Sequence, residues 1–270
     1  DAETLQIWNT MNGWVYEGFR QTWNRLGIDF DKEYYESQEY IRGKEFVIDG
    51  LNKGIFYKKE NGAICTDLTS FGMDEKVLLR GDGTSIYLTQ DLGLVNQRYL
   101  DYKMNKMIYV VMDEQNYHFK VLQCVLKQMG VPYADSVYHL SYGEVALPEG
   151  RMKSREGKVV DADDLIDEVV HEATLKTTEL GKVTDMPEAA VKELNEKIGL
   201  AALKYFILKV NPKKKMLFNP AESVDLQGDT GPFIQYSYAR IQAILRKMPY
   251  QNTNALGDYA MNEIEKNIVF

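Results

Sequence analysis

Cysteine and histidine are scarce in this sequence, with two cysteines (Cys65 and Cys124) and three histidines (His118, His139 and His171) among 270 residues. Two cysteines cannot build a disulfide framework, and neither they nor the scattered histidines show metal-ligand spacing. A reducing compartment follows, and the cytoplasm is the expected location. No apolar run approaches the roughly 18 residues that span a bilayer, and no basic-then-apolar leader opens the chain, so no membrane partner is expected. Positive charge is not in excess either: 32 Lys and Arg stand against 40 Asp and Glu, a net charge of −8. That excludes a global field drawing the protein to nucleic acid, and any RNA contact must be local. Walker and dinucleotide glycine fingerprints are both missing. Residue 1 is Asp rather than Met, and Ile268-Val269-Phe270 carry no punctuation, so both ends read as cut.

What is present is globular. Hydrophobic residues make up 44% and charged residues 27%, far from a disordered composition. At roughly 150 residues per domain the length corresponds to about 1.8 domains. The first part reads as α/β. Val77-Leu78-Leu79 is a short strand, and a helix runs from about Ser85 to Tyr99. Ile108 to Val111 form a second strand, and Phe119, Leu122, Val125, Leu126 and Met129 lie on one helical face that Gly130 ends. Val137 to Leu140 form a third strand before a polar loop, Ser141 to Val160. This alternation predicts a parallel sheet with right-handed crossovers. Upstream, Gly43 to Asn52 reads as helix, and Asn61-Gly62 marks a hairpin inserted near 55–67. From Asp161 onward only helices are predicted, with faces Leu165-Val169-Ala173 and Val191-Leu194-Ile198-Ala201-Tyr205-Leu208, and a last helix from Ile234 to Lys247. Two domains are expected, 1–160 and 161–270.

Segments that follow parallel strands gather at one sheet edge, where such folds bind ligands. Here these are Arg80 to Asp91, Met112 to His118, and Ser141 to Lys158. Tyr87 and Asp91, four apart on a helix, share a face that suits a guanidinium or ammonium; the same spacing equally fits a packed Tyr87 and an Asp91 paired with Arg98. Arg80-Gly81-Asp82, an adhesion tripeptide by spelling, reads as a turn. His118 fits either a ribose or phosphate contact or a helix-start cap. The loop Pro148 to Lys158 holds Arg151, Lys153, Arg155 and Lys158 with Ser154 and two glycines, a composition for closing over polyphosphate as well as for a solvated loop. Gly231 to Met248 carries Arg240, Arg246 and Lys247, no acid, and Phe233, Tyr236 and Tyr238; with Lys213-Lys214-Lys215 nearby it is either a local RNA-facing patch or a solvated face over core aromatics.

Taken in order, four blocks resemble the arginyl-tRNA synthetases, a family of class I aminoacyl-tRNA synthetases. They are Leu79-Arg80-Gly81-Asp82-Gly83-Thr84-Ser85-Ile86-Tyr87-Leu88-Thr89-Gln90-Asp91; Tyr109-Val110-Val111 with Glu114-Gln115 and His118-Phe119; His139 to Gly143 with Leu147 to Gly157; and Gly228-Asp229-Thr230-Gly231-Pro232 through Ile241. The resemblance runs from about Trp8 to Arg246. It implies a partial Rossmann-like, parallel-sheet catalytic domain followed by part of an all-α anticodon-binding bundle. It further implies that Tyr87, Asp91 and Glu36 hold an arginine side chain, with Gln115 at its amino-acid end. His118, Tyr142, Gly143 and Val145 would line adenosine; Arg151, Met152, Lys153, Ser154 and Arg155 would take the phosphates; Gln235, Tyr236, Arg240 and Lys247 would meet tRNA. The implied partners are arginine, ATP with Mg, and tRNA, which the family generally needs bound before it activates arginine; no oligomeric state is read from the sequence. The implied reaction is attack of the arginine carboxylate on the α-phosphate of ATP, then transfer from the adenylate to the terminal ribose of tRNA. The alternatives are a class I synthetase for another amino acid and a non-catalytic, synthetase-derived RNA-binding protein. Two departures stand out. Lys153 and Ser154 exchange the order of the general class I loop motif, and the His-x-Gly-His signature for ATP occurs nowhere in the 270 residues. The expectation is therefore a piece of a longer synthetase, inactive by itself.

Overall fold

The computed structural model describes residues 1–146, 161–181, 183–225, 227–248 and 262–264. The chain divides into two compact units, Asp1–Glu168 with Phe206–Asn219, and Val169–Tyr205 with Pro220–Phe270. Among the described residues no helix is long and apolar enough to cross a membrane.

The first unit opens with α1 (Ala2–Leu26), capped by the Asp1 carboxylate, which accepts from the Thr4 amide at 2.8 Å, and closed by Gly27 in the left-handed conformation. No residue of α1 is buried; Trp8, Met11, Trp14 and Phe19 are exposed. Helix α2 (Glu36–Asn52) begins seven residues before the expected start at Gly43. The apolar signal is weak there because the first turns carry Glu36, Ser37, Gln38 and Glu39, yet Glu39 is buried. Strands β1 (Tyr57–Lys58) and β2 (Ile64–Thr66) form the hairpin at Asn61-Gly62, with Tyr57 opposite Cys65.

Strand β3 (Lys76–Leu79) departs from the expected parallel sheet and pairs antiparallel with β2, Thr66 opposite Lys76. The hairpin captures it, and only its Leu78 and Leu79 are buried. The parallel pair is β4 (Met107–Met112) with β5 (Val137–Tyr142), running in register from Met107–Val137 to Met112–Tyr142. Helices α3 (Tyr87–Tyr102) and α4 (Asn116–Gln128) flank them, and Gly130 stops the latter region as expected with φ 65°. The core gathers Val47 from α2, Leu68, Leu78 from β3, Leu92 and Val95 from α3, and Leu122 and Leu126 from α4. Two glycines let α2 and α3 cross closely: a Cβ on Gly43 would lie 1.9 Å from the Thr89 carbonyl oxygen, and one on Gly93 would lie 2.6 Å from that of Glu39.

The polar loop after β5 contains β6 (Val145–Ala146), which pairs in parallel with β7 (Met216–Leu217). The chain thus returns to the first unit after α5 (Ala162–Glu179) and α6 (Glu188–Leu208). In the second unit the buried positions of α6 are Asn195, Gly199, Ala202 and Leu203, displaced from the expected stripe of larger apolar residues. Small residues decide the approach: a Cβ on Gly199 would touch Val170, and one on Gly231 would meet the Ala201 carbonyl. A short helix α7 (Pro220–Ser223) precedes α8 (Gly231–Lys247), capped by the Thr230 hydroxyl, which accepts from the Phe233 amide at 3.2 Å.

Candidate functional site

Arg80 to Ser85 make a closed turn. The Asp82 carboxylate accepts from the Thr84 amide at 2.8 Å, which pulls its pKa below the usual range, and the Arg80 guanidinium donates to the Ser85 carbonyl at 3.1 Å. The tripeptide here is a turn, as its spelling in this context implied. From it α3 starts with the Thr89 hydroxyl accepting from the Ile86 amide at 3.0 Å and donating to the Leu78 carbonyl of β3. The first position of α3 is Tyr87, 79% exposed, and one turn later comes Asp91.

Asp91 does not pair with Arg98. Its Oδ2 lies 2.6 Å from Nε2 of His118, in the first turn of α4. The second of the expected edge segments therefore meets the first. Gln115, exposed, ends the short 3-10 turn that links β4 to α4. The His118 ring stands edge-on to Phe119 at 5.7 Å; Phe119 also stacks on His139 at 4.3 Å and tilts against Tyr109 at 5.2 Å. His139, by its Nε2–H, donates to the Val111 carbonyl at 2.9 Å, so it braces β4 against β5.

Arg98 lies between two phenol rings, 5.2 Å from the Tyr34 centroid and 5.0 Å from that of Tyr109. Burial raises the Tyr109 pKa, with Arg98 acting in the opposite direction. The Tyr34 hydroxyl donates to Asp101 Oδ2 at 2.7 Å, beside the Lys32 ammonium, and Gln97 donates to Oδ1 at 2.8 Å. The Lys32 and Tyr34 bonds hold the Asp101 pKa at about 2, and burial with the Asp101 bond pushes that of Tyr34 well up. This cluster was not foreseen from the sequence; its signal is the seven-residue step from Asp91 to Arg98, two helical turns on one face, together with Tyr34 just ahead of Glu36. Glu36 is the exposed first residue of α2.

On the third edge segment, Tyr142 ends β5 and is exposed. Gly143 lies flat on the 212–215 loop: its N–H donates to the Pro212 carbonyl at 2.7 Å, and a Cβ would come 2.6 Å from the Lys214 carbonyl oxygen. Val145, in β6, faces Met216, and Lys215 reaches Glu144 at 3.5 Å. The Lys213-Lys214-Lys215 run, grouped by sequence with the basic helix, belongs instead to the first unit beside the β5–β6 turn. Arg151, Met152, Lys153, Ser154 and Arg155 lie outside the described residues. Among the described residues no group of three or more His, Cys, Asp and Glu is placed to hold a metal ion.

In the second unit Gln235 donates to the Lys197 carbonyl at 3.2 Å, Arg240 stacks 5.6 Å over Tyr236, and Lys247 ends α8 exposed. Phe233, Tyr236 and Tyr238 are exposed.

A model of the catalytic domain of class I (R) tRNA synthetases matches residues 1–219. The arginine–tRNA ligase of Amoebophilus asiaticus (strain 5a2) is 55% identical over 264 residues, covering 98% of this chain and 43% of that protein. The arginine–tRNA ligase of Parabacteroides distasonis is 52% identical over 273 residues, covering 100% of this chain and 46% of that protein. The arginyl-tRNA synthetase structure from Plasmodium falciparum superposes with a TM-score of 0.76 at 24% identity, over 93% of this chain and 42% of that one. That from Thermus thermophilus gives 0.72 at 24% identity, over 87% and 45%. At these identities the structural likeness establishes a shared fold. The chain spans less than half the length of each of these relatives.

Proposed function

The chain belongs to the class I (R) tRNA synthetase family, whose catalytic-domain model covers 219 of its residues, and from that premise we propose that it supplies the arginine-binding part of an arginine–tRNA ligase. The observation that carries this reading is the Asp91–His118 pair, 2.6 Å apart, with Tyr87 one turn before Asp91 and Gln115 three residues before His118. His118 engages one oxygen of Asp91 and turns the carboxylate, leaving Oδ1 for the ligand. A carboxylate oriented in this way pairs with one edge of a planar, permanently charged guanidinium, and Glu36 takes another. Tyr87 adds a phenol at the same end, and Gln115 holds the α-amino end. Selection against lysine or an uncharged analogue then follows, because either would leave a carboxylate without its full set of donors.

ATP is the second substrate, with magnesium arriving on its phosphates. His118, with the backbone of Tyr142, Gly143 and Val145, would line the adenosine, and Arg151, Met152, Lys153, Ser154 and Arg155 belong to the loop that neutralises the departing pyrophosphate. The arginine carboxylate attacks the α-phosphorus and pyrophosphate leaves; the terminal ribose hydroxyl of tRNA then attacks the acyl carbon of the adenylate, forming the ester and releasing AMP. Such chemistry rests on positioning and charge neutralisation rather than on a protein nucleophile. Gln235, Tyr236, Arg240 and Lys247 would follow the RNA backbone, the exposed Arg240–Tyr236 stack being one support. We assign 1–160, joined by the returning residues 206–219, to the catalytic part and the rest of 161–270 to the linker and the start of an anticodon-binding bundle, and place the whole in the cytoplasm.

The test is arginine-dependent exchange of pyrophosphate into ATP by the intact ligase that contains this chain, with tRNA present. Asp91→Asn should lower kcat/KM for arginine by about 100-fold, the scale of removing one partner of a charged pair. An unchanged constant, or equal activity with a different amino acid, would overturn the arginine assignment.

A further inference from the structure

α2 has no side-chain cap: Tyr35 stands at its N-cap position with extended backbone and makes no capping bond. The place of Glu36 is therefore set by whatever holds the residues just before it. Two ties do so. The Tyr34 hydroxyl and the Lys32 ammonium both reach Asp101 Oδ2, while Gln97, on the same helix as Asp101, fixes the other oxygen. The Tyr34 ring also packs on the Arg98 guanidinium, whose other stacking partner is Tyr109 of β4.

Arg98 lies two helical turns from Asp91 on the same face of α3, and Tyr109 packs on Phe119, the neighbour of His118. One planar guanidinium thus joins the segment that carries Glu36, the helix that carries Asp91, and the strand that leads to Gln115. A guanidinium can stack against two rings at once; an ammonium on a flexible stem cannot hold both in register.

We propose that Tyr34, Arg98 and Asp101 form a positioning clamp that sets where Glu36 stands relative to Asp91, and so decides which cationic side chain the pocket accepts. None of the three touches substrate. The proposal rests on the arginine-pocket reading above and deepens it: the separation of two carboxylates selects the length and planarity of the cation, and this clamp sets the separation.

The experiment uses the intact ligase with tRNA present and pyrophosphate exchange with arginine, canavanine and lysine as substrates. Tyr34→Phe keeps the stack and loses the bond to Asp101. It should raise KM for arginine by about two- to tenfold, the scale of one hydrogen bond, and leave kcat and the KM for ATP within about twofold. Arg98→Lys, which keeps the charge and loses the double stack, should do more, and Tyr34→Ala more than Tyr34→Phe. Because Tyr34 acts through Glu36, adding Y34F to E36Q should cost nothing further. Parallel losses in kcat and ATP affinity, or losses that multiply in the double variant, would show that the cluster merely supports the fold and would overturn the clamp. Should E36Q and D91N both leave the arginine KM unchanged, the pocket reading itself falls; should they raise it while Tyr34→Phe does not, only the clamp falls. If Tyr34→Phe melts early, Asp101→Ala removes the acceptor of the same bond and is read by the same split.

Discussion

At the scale of single residues, Asp101 has the sharpest electrostatic signature. Its carboxyl is held at about 2, against an ordinary 3.8, first by the Lys32 bond and then by that of Tyr34. A carboxylate whose folded pKa is lowered contributes stability that is complete above its unfolded pKa and is lost as pH falls towards the folded one. The window is therefore from about pH 4 down to about pH 2. Urea midpoints measured across pH 6 to 2.5 should show wild type above Asp101→Asn at pH 6, with the gap closing below about pH 4. A gap that stays constant through that range would mean that the tie to residues 32–34 does not exist in solution. The same residue shows the limit of reading a sequence. Tyr87 and Asp91 declare themselves by a four-residue spacing, but nothing in the order of residues connects Asp101 to Lys32 and Tyr34, 69 and 67 positions away. Asp91 was legible as a ligand-binding candidate, whereas its partner was not, because His118 and Arg98 are both plausible by charge and only the crossing of α3 and α4 chooses between them.

At the scale of elements, α2 and α3 cross closely, and glycine is what permits it. A methyl on Gly43 would meet the backbone carbonyl of Thr89 at 1.9 Å, and Thr89 is itself bonded to Leu78, so neither side has a flexible end to yield. Gly43→Ala should therefore destabilise by about 1–3 kcal/mol, the usual cost of overpacking, although alanine is the better helix former. Gly13→Ala in α1 is the internal control. Its Cβ would meet nothing within 4 Å, so propensity alone acts and stability should rise by up to about 1 kcal/mol. Thermal or denaturant unfolding of both variants reads the two signs; equal signs would refute the close crossing. Long periodic helices such as α4 were legible in the sequence to within a few residues. The sheet was less so: Val77-Leu78-Leu79 reads as a parallel strand, yet a hairpin built from residues 57–66 pairs with it from the other direction. Short strands carry no mark of direction, so partner choice is decided by what tertiary structure brings alongside.

At the scale of the whole molecule, the net charge of −8 and the local basicity cease to conflict. Lys213 to Lys215 sit with the β5–β6 turn in one compact unit, and Arg240, Arg246 and Lys247 lie along α8 in the other, so each unit carries its own small cationic surface. A division at residue 160 could not anticipate this, because the chain leaves the first unit and re-enters it at Phe206–Asn219 through the two-residue strand β7, too short to announce itself. The four synthetase-like blocks were legible because their order along the chain is itself specific, independently of how the strands between them pair. What those blocks do not include decides the last prediction. The His-x-Gly-His signature for ATP is not among these 270 residues, and the family relatives are more than twice as long as the stretch they share with this chain. Tyr87 is 79% exposed and Glu36 stands at a surface, so at the proposed arginine site water competes with the ligand. With tRNA present, the purified 270-residue polypeptide should accordingly show no arginine-dependent pyrophosphate exchange above background and no aminoacylation, while remaining folded by circular dichroism. Exchange near that of a complete arginine–tRNA ligase would mean that the positioning of ATP needs neither the signature nor the rest of the relatives' length, and the division of labour argued for this chain would have to be abandoned.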